Sequence, residues 1–347
     1  MNFFGRDYLL LFAVAFILVG VLTPIMRTIA LRFEIVDIPG ESHKTHRNPV
    51  PYLGGIAISV GVITVSYSAI FLSGFSKSNI LLASSVLIPG IFLGAVGLID
   101  DLLKLSPWPR FLVQNLVGIV SSAILISTNT IGRPTGSLIF DVLITLLWIV
   151  GLTNAINFFD NIDGGASGTV AISSIALFVL GIQGEQFVIA SLALVLSGAT
   201  LGFLIWNRPP ARIYMGDAGS LFLGLVIASL TIRLEPNPIN KYAGFTVIFG
   251  LVAVPILDTS VAVVSRMSKG VSPFQGGKDH LSHRLMKIGL SKRQAVTSLW
   301  LLSLSFALLS VAISNASFKL EGYLSLAVLM WWLLLFALFT KVPTRYG

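Results

Sequence analysis

The sequence predicts an all-α, polytopic integral membrane protein of about ten to eleven transmembrane helices, with its N-terminus outside and its C-terminus in the cytoplasm. Three observations carry this. The 347 residues are 55% hydrophobic and only 11% charged, with a mean hydropathy of +0.89. The apolar residues gather into runs long enough to cross hydrocarbon as helices, at about eighteen residues or more, rather than into the short periodic stripes of a soluble core. Lysine and arginine fall unevenly between alternate loops. The chain has no cysteine, which excludes disulfides, thiolate metal sites and a cysteine nucleophile.

Eleven apolar runs bounded by Gly, Pro, Asn or charge read as spans: 8–31, 53–73, 80–99, 111–127, 138–157, 168–182, 186–206, 219–233, 243–264, 295–314 and 321–340. Tyr8–Ala30 is too long for the apolar region of a signal peptide and no small-x-small site follows it, so it counts as the first span. Gly54-Gly55 lets the second span begin close to a neighbour. The third ends where Ile80–Ile99 runs into Asp100-Asp101. The spans at 168–182 and 219–233 are short, and are expected to be tilted or partly re-entrant. No period of 20–50 residues recurs. Residues 1–347 are therefore expected to form one transmembrane domain with catalytic cytoplasmic loops at 32–52, 100–110, 158–167, 207–218 and 265–294.

Orientation follows from the basic residues. Those five loops, with Arg27 and the C-terminus, hold 17 of the 23 lysines and arginines, which makes them cytoplasmic by the positive-inside rule. The net charge of +8 is thus a field on one face. It suits anionic lipid heads or an anionic soluble substrate. Nucleic acid is not expected, because no long basic run or aromatic-interleaved patch exists.

The chemistry-bearing residues lie in the same loops. In the first, Lys44, His46 and Arg47 suit phosphate, or form an ordinary solvated juxtamembrane loop. In the second, Asp100 and Asp101 are adjacent anions at a membrane boundary, where desolvation adds to their repulsion. Lys104 follows one turn after Asp100, in the favourable acid-then-base order for a helix. In the third, Asn154, Asn157, Asp160 and Asp163 are spaced by three, a polar row that drifts about 60° per step around a helix and that Gly164-Gly165 ends. Amides and carboxylates at the edge of a span usually face a cavity. In the fourth, Asn207, Tyr214 and Asp217 sit among prolines and glycines, where Asp217 serves either as a helix N-cap or as a metal ligand. In the fifth, Asp279 reads as an N-cap and Gly289 as a helix stop. Leu281, Leu285 and Ile288 form an apolar stripe opposite His280, His283, Arg284 and Lys287. This segment is either a membrane-surface helix or a phosphate grip. Oxygen ligands without thiols point to Mg²⁺, with Mn²⁺ as the alternative, and acids beside basic groups suit phosphoryl transfer with one lipid partner.

Together, from Asp37 to Gly289, these motifs resemble the polyprenyl-phosphate N-acetylhexosamine-1-phosphate transferases. The resemblance implies transfer of a sugar-1-phosphate from a UDP-N-acetylhexosamine to undecaprenyl phosphate or a similar polyprenyl phosphate, with Mg²⁺ required and UMP released. It implies that Asp100 and Asp101 handle the lipid phosphate, and that Asp217 in Met-Gly-Asp-x-Gly-Ser binds the metal. Asn154, Asn157, Asp160 and Asp163 match a motif near metal and nucleotide, with Asp160 a second metal candidate. Asn207 and Tyr214 fall at uridine-pocket positions, Lys44 near the nucleotide, and His280, His283 and Arg284 in a motif that grips phosphate. Asp100, Asp101, Asp160, Asp163 and His280 are the candidate catalytic residues. Lys44, His46, Lys104, Asn154, Asn157, Asn207, Tyr214, His283 and Arg284 are the candidate substrate-binding ones.

The Asp279-His280-x-x-His283-Arg284 form resembles the N-acetylglucosamine-1-phosphate branch, which initiates teichoic acid, O-antigen or other surface glycans. The branch that uses UDP-muramoyl-pentapeptide usually carries three consecutive histidines here. Three departures stand out. Ser282 stands where the common His-Ile-His-His form has a histidine, Asn161 replaces a frequent Gly, and Gly165 a frequent Leu. A homodimer is compatible with this reading. The competing class is a secondary transporter, which would place acids near the bilayer midplane and show an inverted repeat. Only Asp258 lies inside a span and no repeat is visible.

Overall fold

The computed structural model describes residues 5–37, 49–74, 76–127, 137–236, 240–273 and 277–342. Among them, a two-stranded antiparallel ladder, β1 (Val36–Asp37) and β2 (Val50–Pro51), accompanies thirteen helices. These are α1 (Gly5–Arg32), α2 (Gly54–Leu72), α3 (Lys77–Leu103), α4 (Pro107–Ser127), α5 (Leu138–Phe159), α6 (Gly165–Gln183), α7 (Phe187–Asn207), α8 (Gly216–Arg233), α9 (Lys241–Leu251), α10 (Ala253–Met267), α11 (Leu281–Lys287), α12 (Lys292–Ser314) and α13 (Phe318–Lys341). Ten are long and apolar enough to cross a membrane, and α9 with α10 passes the same test only as a bent pair, which is either an eleventh, broken span or a re-entrant loop. The chain is an all-α polytopic membrane protein.

The spans sort by burial. α6, α7 and α8 are enclosed over most of their length, whereas α1 and α13 expose rows of Leu, Ile and Val. Every backbone polar group in hydrocarbon must be satisfied within the protein, so exposed apolar side chains on regular helices are what a lipid-facing surface requires. The two short runs lie in continuous helices, α6 and α8, so neither is re-entrant. Both are largely buried in the bundle, where small residues such as Gly168, Ala171 and Gly224 let neighbours approach.

The interrupted element lies elsewhere. The run at 243–264 is two helices bent by 78° at Val252. Pro255 has no N–H to give the carbonyl four residues earlier, that of Leu251. Ser173 Oγ of α6 supplies the missing donor, at 2.6 Å to Leu251 O, and Trp332 Nε1 of α13 donates to Ala253 O at 3.0 Å. The break is thus sealed by its neighbours, as an interruption inside a membrane protein must be.

Close backbone contacts bring the loops together at one end of the bundle. A Cβ on Gly97 of α3 would lie 2.3 Å from Asp217 O of α8, and one on Gly55 of α2 would lie 2.1 Å from Gly219 N. Side chains at either glycine would push α8 away, and with it Asp217 from Asp100 and Asp101. Backbone bonds then tie the start of α2 to the loop before α8: Gly54 N donates to Tyr214 O and Gly55 N to Met215 O.

Two local expectations are corrected. α5 ends at Phe159, not at Gly164-Gly165. Asp160 N bonds back to Ile156 O and Asn157 O, and Asn161 Nδ2 takes the carbonyl of Phe158, using up groups that a continuing helix would need. Gly164, at φ +73°, begins α6 instead. In α11 the N-cap is His280 rather than Asp279, and the buried side is Leu281, Ser282 and Arg284, with Ile288 exposed. Of the anticipated Leu281–Leu285–Ile288 stripe, Leu281 and Leu285 do pack inward, while Ile288, at the helix end, does not. Gly289, at φ +106°, does follow the helix end.

Candidate active site

A cavity of about 510 Å³ opens where α3, α5 and α7 end and where α8 and α11 begin. Its walls include Asp100, Asp101, Lys104, Asn157, Asp160, Asp163, Asn207, Tyr214, Asp217, His280 and His283. Residues from all five predicted loops therefore meet, the first through Asp37 and Tyr52. Lys44 and His46, in that first loop, lie outside the described residues.

The carboxylates are treated very differently. Asp100 Oδ1 accepts from Leu105 N at 2.8 Å and Oδ2 from Arg110 Nη1 at 2.7 Å. Arg110 Nη1 also reaches Asp217 Oδ2 at 2.5 Å, and Asn157 Nδ2 donates to Asp217 Oδ1 at 2.8 Å. Asp101 faces the start of α8 and takes the N–H groups of Asp217 and Ala218 at 2.9 and 3.1 Å. It thereby fills a helix N-terminus with a carboxylate from another helix, which satisfies orphan amides and complements the dipole. Asp163 accepts from Ala211 N at 2.9 Å and pairs with Lys292 Nζ at 2.7 Å.

Asp160 is the exception. Among the described residues its carboxylate has neither a hydrogen-bond donor nor a cation. Burial first, then the charges of Asp217, Asp101 and Asp163, push its pKa well above the ordinary carboxylate value. Tyr214 is likewise pushed up by burial and by Asp163, Asp37 and Asp160, so its phenol stays protonated and can donate. The site thus gathers carboxylate oxygens that the chain's own cations do not fully offset. Among the described residues no three His, Asp or Glu side chains converge as a ready-made metal site, so a divalent cation there would rest on one or two carboxylates, as Mg²⁺ does when phosphate oxygens complete its shell.

The opposite wall is a buried ionic network. Asp258 of α10 takes His280 Nδ1 at 2.7 Å on one oxygen and Leu281 N at 2.7 Å on the other. Arg266 grips Asp279 with two bonds of 2.7 and 2.8 Å, and its Nη2 lies 3.1 Å from His280 Nε2. Asp258 accepts at His280 Nδ1 while a guanidinium donor faces Nε2, so both ring nitrogens are engaged and the ring is fixed in place. Burial and the proximity of His280 lower the His283 pKa to about 4. His283 therefore presents a neutral ring to the cavity.

Several predicted residues do other work. Arg284 does not reach the cavity: it is buried, and its guanidinium donates to Asp279 O, Phe339 O and Val342 O, anchoring α11 to the end of α13. Asn154 turns to α4, donating to Gln114 Oε1 at 2.7 Å, as the 60° drift of its row demands. Asn207 touches the cavity, but its amide shapes the loop, accepting from Gly164 N and Ser167 Oγ and donating to Ile213 O. Lys104 ends α3 in a left-handed conformation, so it leaves the helical face on which it would pair with Asp100. Arg110 pairs with Asp100 instead. Residues whose pairings sequence reading missed are Arg110, Lys292, Asp258, Arg266 and Asp279. Asp258 left a trace as a charge inside an apolar run, and Asp279 as the expected N-cap that opens the histidine motif.

Residues 81–235 match the family described as Glycosyl transferase family 4. The chain is 33% identical over 319 residues to a probable undecaprenyl-phosphate N-acetylglucosaminyl 1-phosphate transferase of Bacillus subtilis, covering 90% of this chain and 87% of that one. It is 32% identical to a decaprenyl-phosphate N-acetylglucosaminephosphotransferase of Mycolicibacterium smegmatis, covering 80% and 74%. To a phospho-N-acetylmuramoyl-pentapeptide-transferase of Halalkalibacterium halodurans it is 29% identical, covering 88% and 97%. With this likeness running through almost the whole chain, the protein belongs to the polyprenyl-phosphate N-acetylhexosamine-1-phosphate transferases and is a membrane-embedded transferase.

Proposed function

We propose that the protein transfers N-acetylglucosamine-1-phosphate from UDP-N-acetylglucosamine to undecaprenyl phosphate or a similar polyprenyl phosphate, releasing UMP at the cytoplasmic face of the plasma membrane. The product would begin a lipid-linked surface glycan such as teichoic acid or a lipopolysaccharide O-antigen. One observation carries the reading: of the six carboxylates that line the cavity, Asp100, Asp101, Asp163 and Asp217 have both oxygens engaged, whereas Asp160 has no partner among the described residues. A carboxylate left in that state beside Asp217 asks for a polycationic guest or a metal–diphosphate. Supporting the sugar are the likeness to N-acetylglucosaminyl 1-phosphate and N-acetylglucosamine phosphotransferases of Bacillus and Mycolicibacterium and the His280-x-x-His283 form.

Asp217 and Asp160 would hold Mg²⁺, or Mn²⁺, which when bound neutralises diphosphate oxygens and eases departure of UMP. The chain supplies the rest by placement and charge. A polyprenyl phosphate, with a second pKa of about 6 like other phosphate monoesters, is already largely ionised at neutral pH. Its oxygen attacks the β-phosphorus in line; the bond from that phosphorus to the bridging oxygen breaks, and the oxygen leaves with UMP. Asp100 therefore need not act as a free base: it holds the Arg110 guanidinium at the site, where that cation can meet a phosphate. Asp101 keeps the start of α8, and so Asp217, in register. Lys104 adds positive charge at the wall, and neutral His283 offers a ring nitrogen to the sugar or phosphate, while His280, engaged at both nitrogens, fixes the wall behind it.

The test is purified protein in lipid nanodiscs with undecaprenyl phosphate and UDP-GlcNAc, UDP-GalNAc or UDP-MurNAc-pentapeptide, scored by UMP formed with and without Mg²⁺. UMP from UDP-GlcNAc alone, and only with the metal, is expected. Release from the pentapeptide donor would overturn the sugar assignment; release from none would overturn the reaction.

A further inference from the structure

Two positions at which this chain departs from the pattern it resembles, Asn161 and Ser282, are 121 residues apart and touch. Ser282 Oγ donates to Asn161 Oδ1 in a short hydrogen bond. The Asn161 amide nitrogen donates to Phe158 O at 2.7 Å and to Asp258 Oδ2 at 3.3 Å. One side chain thus closes the end of α5, reaches the carboxylate that orients His280, and holds the helix that carries His283. Asn161 follows Asp160 directly, and Ser282 precedes His283. The two residues form the joint between the acidic wall of the cavity and its histidine wall. Ser282 is 1% exposed, so a larger side chain there has no solvent to escape into and must displace Asn161.

We propose that Asn161 and Ser282 are a paired positioning device: together they set the spacing between Asp160 and the His280–His283 wall, and hence how the UDP-sugar is held. The inference rests on the transferase reading above. Neither residue acts on the reacting atoms. Each works through a neighbour, Asn161 through Asp258 and Asp160, Ser282 through Asn161 and the start of α11. Because the contact is mutual, the two positions should be exchangeable only together. A histidine at 282 fits when residue 161 gives up its side chain.

A double-variant cycle tests this, using the full-length protein in nanodiscs. Asn161→Gly and Ser282→His are each expected to lower kcat/KM for the UDP-sugar roughly tenfold, the scale of a lost buried hydrogen bond or of strong coupling between neighbours. KM for polyprenyl phosphate should stay unchanged, a split that mere loss of folded protein cannot produce. The Asn161→Gly/Ser282→His double variant should recover to within about threefold of the parent, well short of the roughly hundredfold loss that independent effects would multiply to. Ser282→Ala, which removes only the hydroxyl and adds no volume, keeps the test open if Ser282→His fails to fold; it is expected to raise KM for the UDP-sugar alone. Multiplicative losses in the double variant, or singles that match the parent, would overturn the pair. A parent protein that releases UMP from no donor would instead sink the transferase reading and the pair's role with it, so the two failures are told apart by the parent alone.

Discussion

The two walls of the cavity are built from the same residue types and put to opposite uses. On the histidine wall, Asp258, Asp279, Arg266 and His280 are buried, and each charged group meets a partner of opposite sign or a hydrogen-bond donor. On the acidic wall, Arg110 is shared between two carboxylates while Asp160 goes without. Buried ion pairs that are fully matched hold geometry; removing one partner leaves a charge that the interior cannot tolerate. A carboxylate kept unmatched at a cavity costs stability in the free protein, and such costs gather where substrate or metal supplies the missing charge. The contrast separates residues that hold the site from residues that meet the ligand.

Substitution of the same kind on the two walls should therefore give opposite results. The largest effect is expected from Asp217→Asn, which should cut UMP release at least about a hundredfold, the scale of losing one electrostatic element of a site, while thermal unfolding moves little. Near-normal turnover would remove Asp217 from the chemistry. Next comes Asp279→Asn, which strands Arg266 beside His280. It should cost about 3–5 kcal/mol of stability, read as a large fall in unfolding temperature, with activity lost only in proportion to folded protein. If Asp279→Asn were as stable as the parent, the histidine wall would not be the rigid partner described here.

A smaller change of opposite sign is expected from Asp160→Asn. Removing the repelled charge should raise the unfolding temperature of the metal-free protein by a few degrees, about 1 kcal/mol, even as transfer is lost. A fall instead would mean that the carboxylate is matched after all. The smallest effect belongs to His283. Its pKa lies below that of an unfolded histidine, at about 4 against 6.5. The native state then binds fewer protons across that window, so the contribution is complete above pH 6.5 and is lost as the pH falls toward 4. His283→Gln should flatten the stability–pH curve between those values, and the ring's NMR titration should have its midpoint near 4. A midpoint near 6.5 would place His283 in water rather than against His280.

Much of this architecture is legible in the residues. The apolar runs locate the spans to within a few residues because a helix in hydrocarbon must be long and apolar whatever it packs against. The polar clusters at span ends mark the loops because such groups are costly in lipid unless a cavity receives them. Even the partition of Asn154, Asn157 and Asp160 among α4, α8 and the cavity follows from the drift of an i, i+3 row. The break at Val252 was readable in principle from Pro255, but its seal was not. It depends on Ser173 and Trp332, which lie far along the chain.

What the residues determine on their own is which groups must meet at a membrane edge, since periodicity and the expense of charge in hydrocarbon are local properties of the chain. What only the tertiary structure decides is how each group is occupied once there. Asp101 closes a foreign helix, Arg284 anchors α13, and Asp160, among the described residues, stays unmatched at the cavity. Those roles depend on distances between helices remote in sequence, and the electrostatics of a carboxylate are set by what stands within a few ångströms of it, not by its neighbours along the backbone.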